Sequence, residues 1–396
     1  MKQIRFLTVM TCCFFLYSFV NAKEKNSETK LQGLPVIDLT KNYPEKEFVA
    51  DDVDKEYIPL ETTNEVLADA SFSVQYVSDK YIVGTNRSRG DVFIFGRNGK
   101  VISHFNNKGE SGKEYLLIKS FVFDEKKQEI FIADYQTKNK CLVYSTDGKF
   151  LRQLNFPANS WIVDIFNFDN ETLLVYNGHH QDRDDTGNIN QKKPYVFLSK
   201  KDGSVVSRLD LSFSKRISDK HTLEVGDGKI MPITVTISAH NVKFGQEFVI
   251  ADRSCDTVFL LKQDKKLTPL FIRTPSCFNE NKLTTMGIDF KTDKFLFFSA
   301  LTYDWGEIIA QVKRGQQISL PPGKDFAYNL QTGEMFSVTT GPSGIEDAPK
   351  NITVRQIRAD RLVKDLKDGK LKGKLKQVAQ SVNEDDNPVI EITKFK

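Results

Sequence analysis

The chain has 396 residues, with 56 Lys and Arg against 52 Asp and Glu, and a formal net charge of only +4. That length exceeds what one compact core usually holds, unless repeated units each add a core layer of their own. Nothing in that charge balance suggests a surface that binds nucleic acid or other polyanions.

At the start, Lys2 and Arg5 form a short basic segment, and an apolar run extends from Phe6 to Val20. The run falls short of the roughly 20 apolar residues that span a bilayer. Val20 and Ala22 are the small residues expected three and one positions before a signal-peptidase cut, so residues 1–22 read as a cleaved secretory signal. The alternatives are a lipoprotein signal on Cys12 or Cys13, for which Thr11 and the apolar Phe14, Phe15 and Leu16 are poor surroundings, or an uncleaved anchor. A polar linker, 23–33, follows, and the folded part is expected over 34–396. The remainder has no second long apolar run. The mature chain is therefore expected without a transmembrane span, in the periplasm or at the cell surface. Cys141, Cys255 and Cys277 lie beyond the signal, and their odd number argues against a disulfide framework.

From residue 70 the sequence repeats. Short runs of Phe, Ile, Val and Tyr alternate with turn residues, as strands do. One four-strand phrase reads Ser71–Ser78, Tyr81–Asn86, Asp91–Phe95 and Lys100–Phe105, with Asn98-Gly99 before its last strand. It returns as Ser120–Asp124, Glu129–Asp134, Cys141–Ser145 and Lys149–Asn155, with Asp147-Gly148, and again as Ile162–Phe168, Thr172–Asn177, Tyr195–Ser199 and Ser204–Leu211, with Asp202-Gly203. Such dipeptides fit tight hairpins. The second strand is the clearest marker, ending at Asn86, Asp134, Asn177, Asp252 and Ser299, which lie 48, 43, 75 and 47 positions apart. A period of about 45 fits a four-stranded propeller blade. Between 70 and 340 no long segment shows a convincing helical stripe.

Five blades are counted in this way. A sixth is assembled from Ile352–Ile357 and Pro388–Phe395 with the early segments Leu34–Leu39 and Tyr57–Glu61, closing the ring with strands from both ends and hiding open edges. Between the late strands, Leu362, Leu366, Leu371, Leu375, Val378 and Val382 recur at helical spacing over about 359–382, and Gly369 divides them into two short helices. Many Lys accompany them. A solvated face over a docked helix is the expectation, and membrane binding the lesser reading. The fold class is thus all-β: a six-bladed propeller of four-stranded antiparallel blades with a short C-terminal helical segment.

Three phrases carry a resemblance: Ile58-Pro59-Leu60-Glu61; Asn98-Gly99-Lys100 followed by Gly109-Glu110-Ser111-Gly112-Lys113-Glu114-Tyr115; and Asn387-Pro388. With them the chain resembles the bacterial six-bladed propeller family common in exported proteins of Bacteroidetes, related to NHL-repeat propellers. It departs from that pattern where Lys113 replaces a Pro-Gly before Glu-Tyr, and in an abbreviated sixth blade. The resemblance implies a fold; a fold does not fix a function.

In such a ring the two-to-three connections and the blade-to-blade crossings share one face. The long insertions Gly178–Lys193, Ser212–Pro232 and Ala300–Lys324 all fall there, whereas the opposite turns are short. Long loops on a rigid scaffold are where binding usually resides. The ligand-binding candidates on this decorated face are Tyr303 and Trp305, as stacking aromatics, and a polar ring of strand-end residues, Asn86, Asp134, Asn177 and Asp252, whose commoner role is to shape turns. Trp161 reads as core.

Metal candidates are His179, His180, Asp182 and Asp184 with His221. Asp182, Asp184 and Thr186, then Gly187, imitate a calcium loop, but Lys193 stands where the closing acid belongs. Calcium or a transition metal is therefore a minor expectation, and a solvated polar loop the main one. Gly-x-Ser-x-Gly, His-Glu-x-x-His and phosphate-cradling glycine loops are absent. The functional reading is an exported cell-envelope binding protein whose partner is a protein, peptide or carbohydrate, without nucleic acid. The alternative is an NHL-like enzyme, such as a metal-dependent lactonase, hydrolase or lyase, working at the central funnel.

Overall fold

The computed structural model describes residues 33–48, 53–69, 71–134, 140–157, 160, 162–178, 193–213, 215–217, 220–226, 228–235, 241–339, 342, 344–345 and 347–396. The expected signal, Trp161 and the four metal candidates His179, His180, Asp182 and Asp184 lie outside them.

Two strands, β1 (Val36–Asp38) and β2 (Val53–Pro59), precede the repeats. Blade 1 is β3 (Phe72–Val77), β4 (Tyr81–Asn86), β5 (Asp91–Gly96) and β6 (Val101–Asn106). Blade 2 is β7 (Ile118–Asp124), β8 (Glu129–Asp134), β9 (Lys140–Ser145) and β10 (Phe150–Asn155), and blade 3 is β11 (Ile162–Asn167), β12 (Thr172–Asn177), β13 (Tyr195–Ser199) and β14 (Val205–Arg208). A hairpin, β15 (Lys220–Gly226) and β16 (Lys229–Thr234), separates it from blade 4: β17 (Asn241–Phe244), β18 (Glu247–Ile250), β19 (Thr257–Leu261) and β20 (Leu267–Thr274). Blade 5 is β21 (Lys282–Lys291), β22 (Phe295–Asp304), β23 (Lys324–Asn329) and β24 (Met335–Ser337), with helix α1 (Trp305–Lys313) between its second and third strands. The pairings within blades 1–5 are antiparallel.

The burial pattern explains why the second and third strands were the legible ones. β4 is buried from Ile82 to Asn86 and β5 from Asp91 to Phe95, because neighbouring blades cover both faces. The outermost strands β6 and β10 alternate, since water covers one side. Apolar clusters fill the gaps between blades: Ile94, Phe105 and Tyr115 meet Ile130 and Tyr144 between blades 1 and 2, and Phe131 and Val143 meet Ile165 and Leu173 between blades 2 and 3. Tyr115 closes the Gly-rich phrase by donating to the Gly90 carbonyl at 2.7 Å, completely buried, so that phrase is structural.

Gly99 shows how blades lock together. Its φ is +81°, and a Cβ there would stand 2.1 Å from the Pro59 carbonyl oxygen. Gly148 and Gly203 press in the same way on Phe105 and Asn155, the ends of the preceding blades' outer strands. The three Asn-Gly and Asp-Gly turns therefore serve the joint between blades as well as the hairpin.

Blade 6 closes the ring. It pairs β26 (Ile352–Ile357), β27 (Val389–Phe395) and β2, all antiparallel, with β27 in the middle. The phrases behind the family resemblance converge here. Leu60 N–H donates to the Pro388 carbonyl, Glu61 N–H to the Gly99 carbonyl, and Asn387 Nδ2 to the carbonyls of Glu61 and Val66. The expectation that Leu34–Leu39 joins this blade is corrected. β1 runs parallel to β20 as an added outer strand of blade 4. The chain then follows the rim of blade 5, where Ser337 exchanges bonds with Tyr43, Pro44 and Lys46, and Phe48 packs on Phe295 and Phe297, before entering blade 6 as β2.

The innermost strand of blade 6 is a stub, β25 (Asp347–Ala348). Lys350 and Asn351 bond to Asp293 in the β21–β22 turn, so β26 starts beside the one-to-two turns and runs as a second strand does. β25 instead lies parallel to β17 of blade 4 and β3 of blade 1, which face each other across the ring. Asp347 pairs there with Lys243 at 2.8 Å. The helices α2 (Ala359–Lys367) and α3 (Gly373–Ala379) join β26 to β27, with their apolar sides on Val389, Ile357 and Tyr57. They occupy a two-to-three connection like the other insertions.

Asp289 carries an expected pH effect. It lies on β21 beside Ser299 and Asp325, and burial, then the Asp325 charge, pushes its carboxyl up to about 6. Its folded pKa stands above the unfolded value, so the stabilisation is complete below about pH 4 and is lost as pH rises through about 6. Asp289→Asn should raise Tm at pH 8, by on the order of 2 kcal/mol in stability, and leave it nearly unchanged at pH 4. Equal shifts at both pH values would show that the carboxylate is not destabilising.

Candidate functional site

The four strand-end residues are buried, between 1 and 6 % exposed, and shape backbone rather than forming an open ring. Asn86 accepts from Arg89 N–H and donates to Asp69 at 2.8 Å. Asp134 accepts from Leu116 and Leu117 in the crossing from blade 1. Asn177 N–H donates to the Pro194 carbonyl, across the neck of the blade 3 insertion. Asp252 accepts from Ser254 N–H at 2.8 Å, turning the chain after β18.

Two of these positions border a polar cradle between blades 3 and 4, on the decorated face. Tyr176 and Tyr195, from paired strands β12 and β13, stand with ring centroids 5.0 Å apart. Tyr195 Oη lies 2.9 Å from Asp252 Oδ2 and 2.8 Å from Asn241 Oδ1. One hydroxyl proton cannot serve two acceptors. Asn241 Nδ2 is buried without an acceptor, so the amide is better turned over, donating to Tyr195 while Tyr195 donates to Asp252. Arg216 Nη2 donates to Tyr176 Oη at 2.6 Å, and its guanidinium covers the Tyr176 ring at 5.3 Å. Ile217 N–H donates to Ser254 Oγ, which brings Arg216 beside Arg253. Arg253 Nε and Nη1 are shielded from solvent and meet no acceptor. Burial, then the Asp252 charge, holds both phenols well above the usual tyrosine range, so they remain protonated. The cradle is rich in donors.

Beside it, two insertions pack into one module. The β15–β16 hairpin and α1 share an apolar centre of Val235, Leu283, Tyr303 and Ile308. Here the structure corrects the sequence reading twice. β22 extends through Asp304, and a helix begins at Trp305, capped by the Asp304 carboxylate accepting from Glu307 N–H. Nine residues are too few to show a stripe. Tyr303 is only 3 % exposed, which leaves its ring no free face for a ligand. Trp305 is half-buried, with the His221 ring 5.0 Å away. His221 thus sits in the module. Lys193, at the end of the calcium-like loop, pairs with Asp210. Among the described residues no three His, Cys, Asp or Glu converge as a metal site.

Below, β25 enters the channel between β3 and β17. Between Tyr76, Phe121, Ile165, Phe166 and Asp347 the remaining volume is about 10 Å³, room for about one water. Sequence reasoning missed Arg216, Arg253, Tyr195 and Asn241. They sit in connections between strands or at strand starts, and only the fold assembles them. The three thiols are free: Cys141 and Cys277 are buried and Cys255 partly so.

Fold and site together define a six-bladed propeller with a short strand inside its channel and one elaborated face. The chain belongs to a domain family of unknown function, DUF4934, whose model matches residues 34–394. No curated protein matches it. A Bacteroides fragilis protein described as exported shares the fold, with a TM-score of 0.61 and 14 % identity over 91 % of this chain and 99 % of that one. A duf4221-family protein of Bacteroides vulgatus matches with TM-score 0.42 and 10 % identity, over 87 % of this chain and 96 % of its own. Virginiamycin B lyase of Staphylococcus aureus matches with TM-score 0.39 and 12 % identity, over 87 % and 100 %.

Proposed function

We propose that this protein is an exported cell-envelope binding protein that takes its ligand on the decorated face, at the cradle between blades 3 and 4 and beside the hairpin–α1 module. The observation that carries this reading is the asymmetry of the ring. β25 enters the channel from the short-turn side, while the insertions and the partly exposed Arg253 and Trp305 collect on the other. Export is supported by the apolar start ending at Ala22, and by the exported relative from Bacteroides fragilis. No helix among the described residues is long and apolar enough to cross a membrane.

The test is a thermal-shift screen of envelope glycans, peptides and small organic anions at fixed ionic strength. Affinities of the hits are then measured for Trp305→Ala and Arg253→Gln. A lost aromatic contact costs on the order of 1 kcal/mol, so each variant should weaken binding about fivefold or more while melting near the parent temperature. A ligand that footprints wholly on the short-turn face and ignores both substitutions would overturn the reading.

A further inference from the structure

The chain-wide charge of +4 conceals a local concentration. Between Arg358 and Lys376 there are eight Lys and Arg and three Asp, a local net charge of +5 within nineteen residues. This segment is the helical insertion of blade 6, and its apolar side is already spent. Leu362 and Ala379 are buried, and Leu366, Leu371, Leu375 and Val378 pack against them. The charges therefore line the outer side.

Several of them are locally neutralised. Arg358 pairs with Asp360, Arg361 with Asp365, Lys367 with Glu384, and Lys370 with Asp365 and Asp368. Lys364, Lys372, Lys374 and Lys376 are exposed and, among the described residues, form no ion pair. α3 has no acidic residue in its first turn to offset Lys372 and Lys374. Glu384, Asp385 and Asp386 follow closely, yet none pairs with these four: Glu384 holds Lys367, and Asp386 accepts from Asn383 N–H.

We propose that the outer side of α2 and α3 is a docking surface for an anionic phospholipid bilayer. The side chains decide the kind of partner. Specific protein interfaces are depleted in Lys and are centred on Tyr, Trp or Arg anchors in desolvated pockets. This surface offers unpaired lysines and no exposed aromatic. A flexible ammonium on a long stem suits a layer of mobile headgroup phosphates, where each basic residue near the surface adds a modest increment. Because the apolar sides face blade 6, the helices rest on the headgroups without inserting. This contact is separate from the cradle between blades 3 and 4.

The test uses the chain begun at Lys23, so that the apolar start cannot itself insert. It is sedimented with vesicles of phosphatidylcholine alone, or with about one third phosphatidylglycerol, at low and at about 0.5 M salt. We expect binding only to the anionic vesicles at low salt. Reversing Lys364, Lys372, Lys374 and Lys376 to Glu together should reduce partitioning by more than about tenfold, with unchanged thermal unfolding. Replacing the same four with Arg should retain binding, and so should Trp305→Ala, which separates this surface from the ligand site. No binding to anionic vesicles at low salt overturns the proposal, as does equal binding by the Glu variant. Binding to soluble polyglutamate with none to vesicles would assign the surface to an acidic polymer instead.

Discussion

A chain ended after Asp385 loses its cooperative unfolding transition and aggregates. The deletion removes β27, the middle strand of blade 6. β2 then has no partner, since it pairs only with β27. Val389, Ile390 and Ile392 are between 0 and 3 % exposed, and burying each contributes roughly 1.5–3 kcal/mol. Asn387 goes as well, and with it the bonds that hold the crossing at Glu61, Thr62, Val66 and Ala68. The combined loss is comparable with the ~5–15 kcal/mol that stabilises a typical domain. The shortened chain also exposes an apolar sheet edge. Calorimetry and light scattering decide the matter. A truncated chain with the parent melting profile would show that the ring closes by other means.

Lys200→Met should destabilise by about 3–5 kcal/mol, the cost of stranding a buried charge. Lys200 is 1 % exposed. It reaches from blade 3 to Asp124 of blade 2 at 2.6 Å, and also donates to Asn167 Oδ1 and the Asp169 carbonyl. Burial pulls its pKa down while Asp124 pushes it up. Without the ammonium, the Asp124 carboxylate keeps Lys127 N–H as a donor and loses its counter-charge. Adding Asp124→Leu should recover a good part of the loss, because an apolar pair strands no charge. Denaturant titration of both variants measures this. A single-variant cost under about 1 kcal/mol would mean that water reaches the pair.

Much of the fold was legible because blades 1–3 keep their signals local. A buried five-residue strand and a glycine turn appear at the same place in each. Blade 4 was harder: its three-to-four turn places Lys265, not glycine, at φ +62°. The 75-residue gap before Asp252 is one blade enlarged by two insertions. β1 was placed in the wrong blade because three residues carry no address, and the groove beside β20 that selects them exists only in the folded ring. The cradle was half legible. Asn177 and Asp252 marked its floor through their strand positions, while Arg216 and Arg253 look like any arginine in a turn. Tyr303 was misjudged because helix α1, which buries it, is too short to announce itself. The lysines of α2 and α3 were visible throughout and read as a solvated face, because only the fold shows which of them acids neutralise.

The segment that leaves β1 and follows the rim of blade 5 as far as Phe48 acts as a belt. β1 belongs to blade 4 and residues 40–48 lie along blade 5, so the seam between blades 4 and 5 is crossed by the chain a second time, besides its ordinary crossing. Parting that seam must stretch it, and Lys324 Nζ, bonded to Asn42 at 2.9 Å, rivets it to blade 5. Among the described residues, no second crossing spans the seams from blade 1 through blade 4. The ring is therefore unevenly stiff, and slow breathing concentrates in its unbelted half, where the cradle lies. Amide exchange should be faster in β12 and β17 than in β22, and the first seam to yield under load is one that a ligand between blades 3 and 4 would hold shut.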